Sequence, residues 1–163
     1  MRAPPVALFA LLSSAALALS GCSLDTAVFV QPGIDDPEVK VVNGVLGLTL
    51  EGSFSLRLHL GPRASGPSEV NLGVWSLASA NDQAPIASPL AVKTTAALPI
   101  TVDKGRDVTT PFTLDEASKL LPFDAKAKLC DEAGLVILGT LDDSLASAPT
   151  PLLSASFQAT GCQ

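Results

Sequence analysis

The chain has 163 residues, which suits one domain with a single core and not two. Apolar residues make up 47% of it, but part of that share sits in about the first twenty positions and does not belong to a folded domain. With 16 acidic residues against 10 basic ones and no Lys/Arg run, the composition excludes a nucleic-acid partner and gives no polybasic tract to hold anionic lipid.

Met1 and Arg2 form a minimal basic start, and residues 6–19 (VALFALLSSAALAL) are an apolar stretch interrupted only by Ser13 and Ser14. That is the layout of a secretory signal. A membrane-spanning helix needs about 20 apolar residues. This run is shorter and leads into Ser20, Gly21 and Cys22 instead of a basic stop-transfer cluster, so removal of the leader is expected over its retention as a span.

Leu19-Ser20-Gly21-Cys22 resembles the lipobox of bacterial lipoproteins, standing directly after the apolar stretch. The resemblance covers the first 22 residues. It implies a diacylglyceryl thioether on Cys22, cleavage between Gly21 and Cys22, and usually acylation of the new amino terminus. Two or more acyl chains give stable anchoring where one does not. The implied address is the cell envelope, and with Ser23 rather than Asp after the lipidated residue it is the outer membrane where the source is Gram-negative. The alternative is ordinary cleavage after Ala16-Leu17-Ala18, which releases a soluble protein with Cys22 as a free thiol. With Arg2 removed, nine basic residues face 16 acidic ones, a formal charge of −7.

The expected organisation is a leader over 1–21, a lipidated tether over 22–38, and a β domain over 39–163. Within the tether, Ala27-Val28-Phe29-Val30 is an apolar run that can serve as a first strand. Residues 31–37 (QPGIDDP) are turn-rich and predict a spacer. Fully extended, the roughly 16 residues of the tether reach at most about 55 Å, which keeps the domain close to its membrane.

Alternation then dominates. Leu46, Leu48 and Leu50 alternate with Gly47 and Thr49, and Phe54, Leu56, Leu58 and Leu60 alternate with Ser55, Arg57 and His59. Period two with one polar side predicts half-buried antiparallel strands, with Glu51-Gly52 as a hairpin candidate between them. After the Gly61-Pro62 break and a loop to Ser68, Val70, Leu72 and Val74 alternate. Trp75 and Leu77 then shift the phase by one residue, as a β-bulge does. Residues 80–89 read as loop, 90–94 and 98–102 as strands, the second with an edge-type proline at Pro99. Residues 103–107 predict a turn into a strand over 108–112.

Thr113 and Glu116 form a capping-box pattern, with Leu114, Ala117, Leu120 and Leu121 on one face and Pro122 as the stop, which predicts a short helix over 114–121. Residues 125–130, 135–138 and 153–159 are expected as closing strands, with a loop around Asp142-Asp143. Seven to nine short strands and one small helix predict a mainly β fold, an antiparallel β-sandwich of immunoglobulin-like or Greek-key layout.

Three cysteines leave one over if a disulfide forms. Lipidation of Cys22 resolves the count, and Cys130 and Cys162, facing an oxidising compartment, can pair or remain free thiols. His59 is the sole histidine and falls on the polar side of its strand, where a solvated side chain is expected; no G-x-S-x-G and no zinc-ligand spacing is present. The acidic doublets Asp35-Asp36, Asp131-Glu132 and Asp142-Asp143 are expected in solvated turns and Asp115-Glu116 at a helix start, so no metal or cofactor is implied. Trp75 is expected in the core; the competing role is an exposed sugar-stacking platform.

These features predict a non-enzymatic, lipid-anchored envelope protein with a structural or protein-binding role, its membrane contact being the lipid on Cys22. The edge strand at 98–102 offers an envelope protein partner a place to add a strand. A small-ligand or carbohydrate-binding lipoprotein is the second reading, and a carboxylate-based hydrolase the third.

Overall fold

Leu48, Leu50, Phe54, Leu56, Leu58 and Leu60 are all buried, and all have even numbers, so a single pleated strand carries every one of them into the core. The computed structural model describes residues 25–114 and 120–163. Ten strands and one short helix occur among them: β1 (Gln31–Asn43), β2 (Leu48–Leu60), β3 (Ser68–Leu72), β4 (Ser76–Ser79), β5 (Pro85–Ala87), β6 (Val92–Lys93), β7 (Ile100–Val102), β8 (Arg106–Leu114), α1 (Ala125–Leu129), β9 (Leu135–Asp143) and β10 (Thr150–Leu153). They form two antiparallel sheets, one in the order β1-β2-β8-β6 and one in the order β5-β4-β9-β3-β7 with β10 on β9. Their apolar faces meet in a sandwich, as the alternation predicted.

The second sheet is organised about β9. Strands β3 and β4 lie end to end along one side of it, while β10 and residues 154–157 follow the other. Between β3 and β4 the register slips by one. Leu72 faces Leu141 and the Gly73 amide donates to the Thr140 carbonyl, but Ser76 already faces Leu138, so Val74 and Trp75 together oppose Gly139. This is the bulge announced by the phase shift. It turns Val74 out to 62% exposure and Trp75 into the core at 4%. There Trp75 meets Phe54 and Phe112 of the opposite sheet at ring-centroid distances of 5.0 and 5.8 Å.

Several local expectations are corrected. Glu51-Gly52 is no hairpin: β2 runs through it, and the β1–β2 turn lies at 44–47, closed by the Gly44 amide on the Gly47 carbonyl. The turn-rich 31–37 patch is not spacer but the first half of β1. Its two prolines are tolerated because β1 is an edge strand, and a bulge at Asp36-Pro37, with Asp36 at φ 51°, absorbs the irregularity. Residues 27–30 precede the strand. Residues 125–130 are mainly the helix α1 and not a strand, because Ala125 and Leu129, spaced four apart, are its buried pair. The predicted helix over 114–121 is bounded differently, since Leu114 ends β8 and Leu121 bridges Leu48; its central residues 115–119 lie outside the described residues. Strand β9 continues past 138 through Gly139 to Asp143.

The sandwich has two distinct ends. One carries the β1–β2 turn, α1 and the C-terminus, which the Cys130–Cys162 disulfide joins at a Cα–Cα distance of 5.7 Å. The Thr160 carbonyl also accepts from Val41 of β1 there. The other end gathers the incoming segment 25–30 and the loops 61–67, 103–105 and 144–149.

Candidate functional site

Polar side chains of β1, β2 and β8 converge on the outer face of the first sheet, near the end that receives residues 25–30. His59 of β2 and Asp107 of β8 are cross-strand partners, with His59 Nδ1 2.8 Å from Asp107 Oδ1. The other ring nitrogen, Nε2, lies 2.9 Å from Asp25 Oδ2. Ionised carboxylates only accept hydrogen bonds, so this geometry suits a ring that donates from both nitrogens, the imidazolium form. The hydrogen bond that His59 gives to Asp107, then the one it gives to Asp25, raises the His59 pKa above its ordinary value. Asp25 is lowered, first by the hydrogen bond its carboxylate receives from the Ala27 amide and then by His59. Two residues back along β2, Arg57 Nε donates to Asp35 Oδ2 at 2.8 Å, and much farther along the same strand, toward the β1–β2 turn, Lys40 pairs with Glu51 at 3.0 Å.

This arrangement is a clamp in chemical terms. An imidazole whose two nitrogens are both engaged as donors has no lone pair with which to take a proton from a nucleophile. What it does is fasten Asp25, at the start of the described chain, to a central strand of the first sheet. The expectation of a solvated His59 is thereby corrected: its polar-side placement is right, but it has two carboxylate partners, 34 and 48 positions away.

A second tie lies inside the same end. Asp143 is buried at 5% exposure, and its carboxylate accepts from the Val30 amide at 2.7 Å, from the Leu145 amide at 2.9 Å and from the Ser68 hydroxyl. The expected solvated Asp142-Asp143 turn thus divides: Asp142 is exposed, while Asp143 locks the entering segment, β3 and the β9–β10 loop together. Of the remaining doublets, Asp35 pairs with Arg57, Asp36 is exposed at the bulge, and Asp131 accepts from the Ala133 amide in a turn. Asp115-Glu116 lies outside the described residues. Among the described residues no three His, Cys, Asp or Glu side chains gather as a metal site.

Trp75 is a core anchor and presents no face to a sugar. A cleft of about 410 Å³ opens between β6 and β8, lined by Lys93, Thr94, Thr95, Pro111 and Thr113, without an aromatic side chain. Strand β7 pairs with β3 alone and is an edge. Cys130 and Cys162 are paired; Gly21 and Cys22, the expected cleavage and lipidation residues, lie outside the described residues. No family model, curated protein or solved structure matches the chain.

Proposed function

We propose that the chain is a lipid-anchored protein of the bacterial envelope, tethered through acyl chains on Cys22, with a structural or protein-binding role. The observation that carries this reading is Leu19-Ser20-Gly21-Cys22 directly after an apolar stretch with a basic start. Cysteine pairing supports it: with Cys130 and Cys162 joined, Cys22 is the one cysteine left for lipid. So does the strength of the mooring just beyond it. Asp25 and Val30, three and eight residues after Cys22, are both tied by side-chain carboxylate contacts to the sandwich, so pull on the lipid is borne by the sheets.

A binding or structural role is favoured over hydrolysis by the chemistry of the outer face, where the sole histidine is committed to two carboxylates. The β7 edge is the place where a partner would add a strand, with Leu98 exposed beside it.

The deciding experiment is the intact mass of the protein extracted from membranes. A chain beginning at Cys22 and carrying a diacylglyceryl group is expected. An unmodified chain beginning near Leu19 or Ser20 overturns the anchor. For the role, reproducible co-isolation of one envelope protein, lost when the β7 edge is blocked by Thr101→Pro, supports binding. An unchanged envelope in a deletion strain with no co-isolated protein removes it.

A further inference from the structure

Between its two moorings the entering segment bears an exposed apolar knuckle. Ala27 and Val30 are buried at 7% and 3%, yet Val28 and Phe29 between them stand 43% and 51% exposed. Side chains on a free loop turn inward or fluctuate. Here the backbone is fixed on one side by Asp25 on His59 and by the packing of Ala27 on Gly61, and on the other by the Val30 amide on Asp143, so the pair is held outward.

The same end holds three cations. Arg63 follows Pro62 in the β2–β3 loop, and Gly105 of the β7–β8 turn packs on Pro62, which brings Lys104 and Arg106 alongside. All three are exposed, and none has an ion-pair partner among the described residues. The carboxylates at this end are Asp25 and Asp107, both on His59, Asp143, buried on the Val30 amide, and the exposed Glu69, Asp103 and Asp142. The three cations are thus exposed side chains without an ion pair, interspersed with these carboxylates.

We infer that Val28 and Phe29 seat in the headgroup boundary of the bilayer that holds Cys22, with Arg63, Lys104 and Arg106 of the neighbouring loops free to reach anionic headgroups. The inference rests on the lipid anchor proposed above and specifies how the domain stands on it. Phe29 is seven positions from Cys22, and three extended residues span only about 10 Å from Cys22 to the first mooring at Asp25, so the knuckle faces the surface into which the acyl chains insert. An exposed apolar pair held outward beside a lipid-bearing residue suits an interfacial contact, which enters about 5–10 Å into the headgroup region. The β1–β2 turn, with Val45 and Leu46 exposed, lies at the far end of the 13-residue β2 and points away from that bilayer at a distance of about 40 Å.

The test uses the full-length protein purified from membranes and reconstituted in vesicles of phosphatidylethanolamine and phosphatidylglycerol containing a brominated phospholipid as quencher. Phe29→Trp adds an indole at the knuckle and Leu46→Trp adds one at the far turn; Trp75, buried in both, is the common background. The knuckle indole is expected to lose about half of its emission to bromine, as a group at headgroup depth does, and the turn indole essentially none. Charge reversal of Arg63, Lys104 and Arg106 to Glu together should reduce the quenching at position 29. Equal quenching at both positions, or none at 29, overturns the inference. The mass of the same sample separates the two readings: acylated protein without quenching leaves the anchor standing and removes the knuckle, while protein without acyl chains removes both.

Discussion

Gly139 lies directly beneath the indole of Trp75: a Cβ at that position would stand 2.7 Å from Trp75 Cε3. The contact is the consequence of the bulge. Because Val74 and Trp75 share one opposing residue, the ring is swung over the β9 backbone and onto Phe54 and Phe112, and only a residue without a side chain leaves room for it. Gly139→Ala is therefore expected to destabilise the fold by about 1–3 kcal/mol through overpacking, although alanine ordinarily suits a strand better than glycine. Thermal unfolding followed by near-ultraviolet circular dichroism checks this; a variant as stable as the parent would mean that the ring is not confined there.

The disulfide gives a second expectation. Cys130 and Cys162 are 32 positions apart, and closing such a loop contributes roughly 3–4 kcal/mol in the chain-entropy picture. Replacing both by Ser should lower the melting temperature by on the order of 10 °C, and a reductant should do the same to the parent protein. Thiol titration of the unfolded, unreduced protein should find neither Cys130 nor Cys162 free. Two titratable thiols from those positions would contradict the pairing.

The parts of this fold that were legible in the sequence are those written in parity. Leu56, Leu58 and Leu60 announce their strand, and the switch from Val70 and Leu72 to Trp75 and Leu77 announces the bulge without reference to any other segment. Parity also held the answer at Glu51-Gly52, since Leu48 and Leu50 share it with Phe54, and a turn had no need to preserve it. The turn chemistry of Glu-Gly masked that signal. Gly52 is in fact where the β1 backbone at Glu38 comes too close for a Cβ. In α1, five residues are too few to separate a period of two from one near four, because Ala125 and Leu129 satisfy both.

The moorings of residues 25–30 were illegible for a different reason. Asp25 and Asp107 reach His59 from two other segments, and Asp143 is buried by an amide 113 positions away. Nothing in the neighbourhood of an Asp-Asp doublet distinguishes one that caps a turn in water from one that holds three donors in the interior. The free cations at the same end were likewise hidden by the acidic average of the whole chain, since Arg63 and Arg106 become neighbours only through the packing of Gly105 on Pro62.

The clamp on His59 predicts a pH dependence with a definite sign. The folded state raises the His59 pKa, so its contribution is present in full below the unfolded value of about 6.5 and is lost as the pH rises through the folded value. Asp25 is lowered, so its part is present above the unfolded value and is lost as the pH falls through the folded one. The margin by which the parent exceeds His59→Gln in melting temperature should therefore be greatest in weakly acidic buffer. It should shrink above neutrality and also in strong acid. Melting curves of the two proteins from about pH 3 to about pH 9 measure it; a margin that grows toward alkaline pH would show that the ring is not held as an imidazolium.

Asp143 carries the largest expected effect of any polar residue described. Its carboxylate satisfies the amides of Val30 and Leu145 and the hydroxyl of Ser68, itself fully buried. Asp143→Ala strands those donors away from water at about 1–3 kcal/mol for each group left unsatisfied, so a loss of several kcal/mol is expected. Asp143→Asn keeps the size and one accepting oxygen and should cost less. The damage should also be local before it is global. With the Val30 mooring gone and the Asp25 clamp on the surface intact, the amides of residues 28–31 should exchange with solvent faster in Asp143→Asn under conditions where the strands β2 and β9 remain protected. Uniform acceleration over the whole sandwich would instead place Asp143 in the global folding unit and leave His59 as the only independent hold on the entering segment.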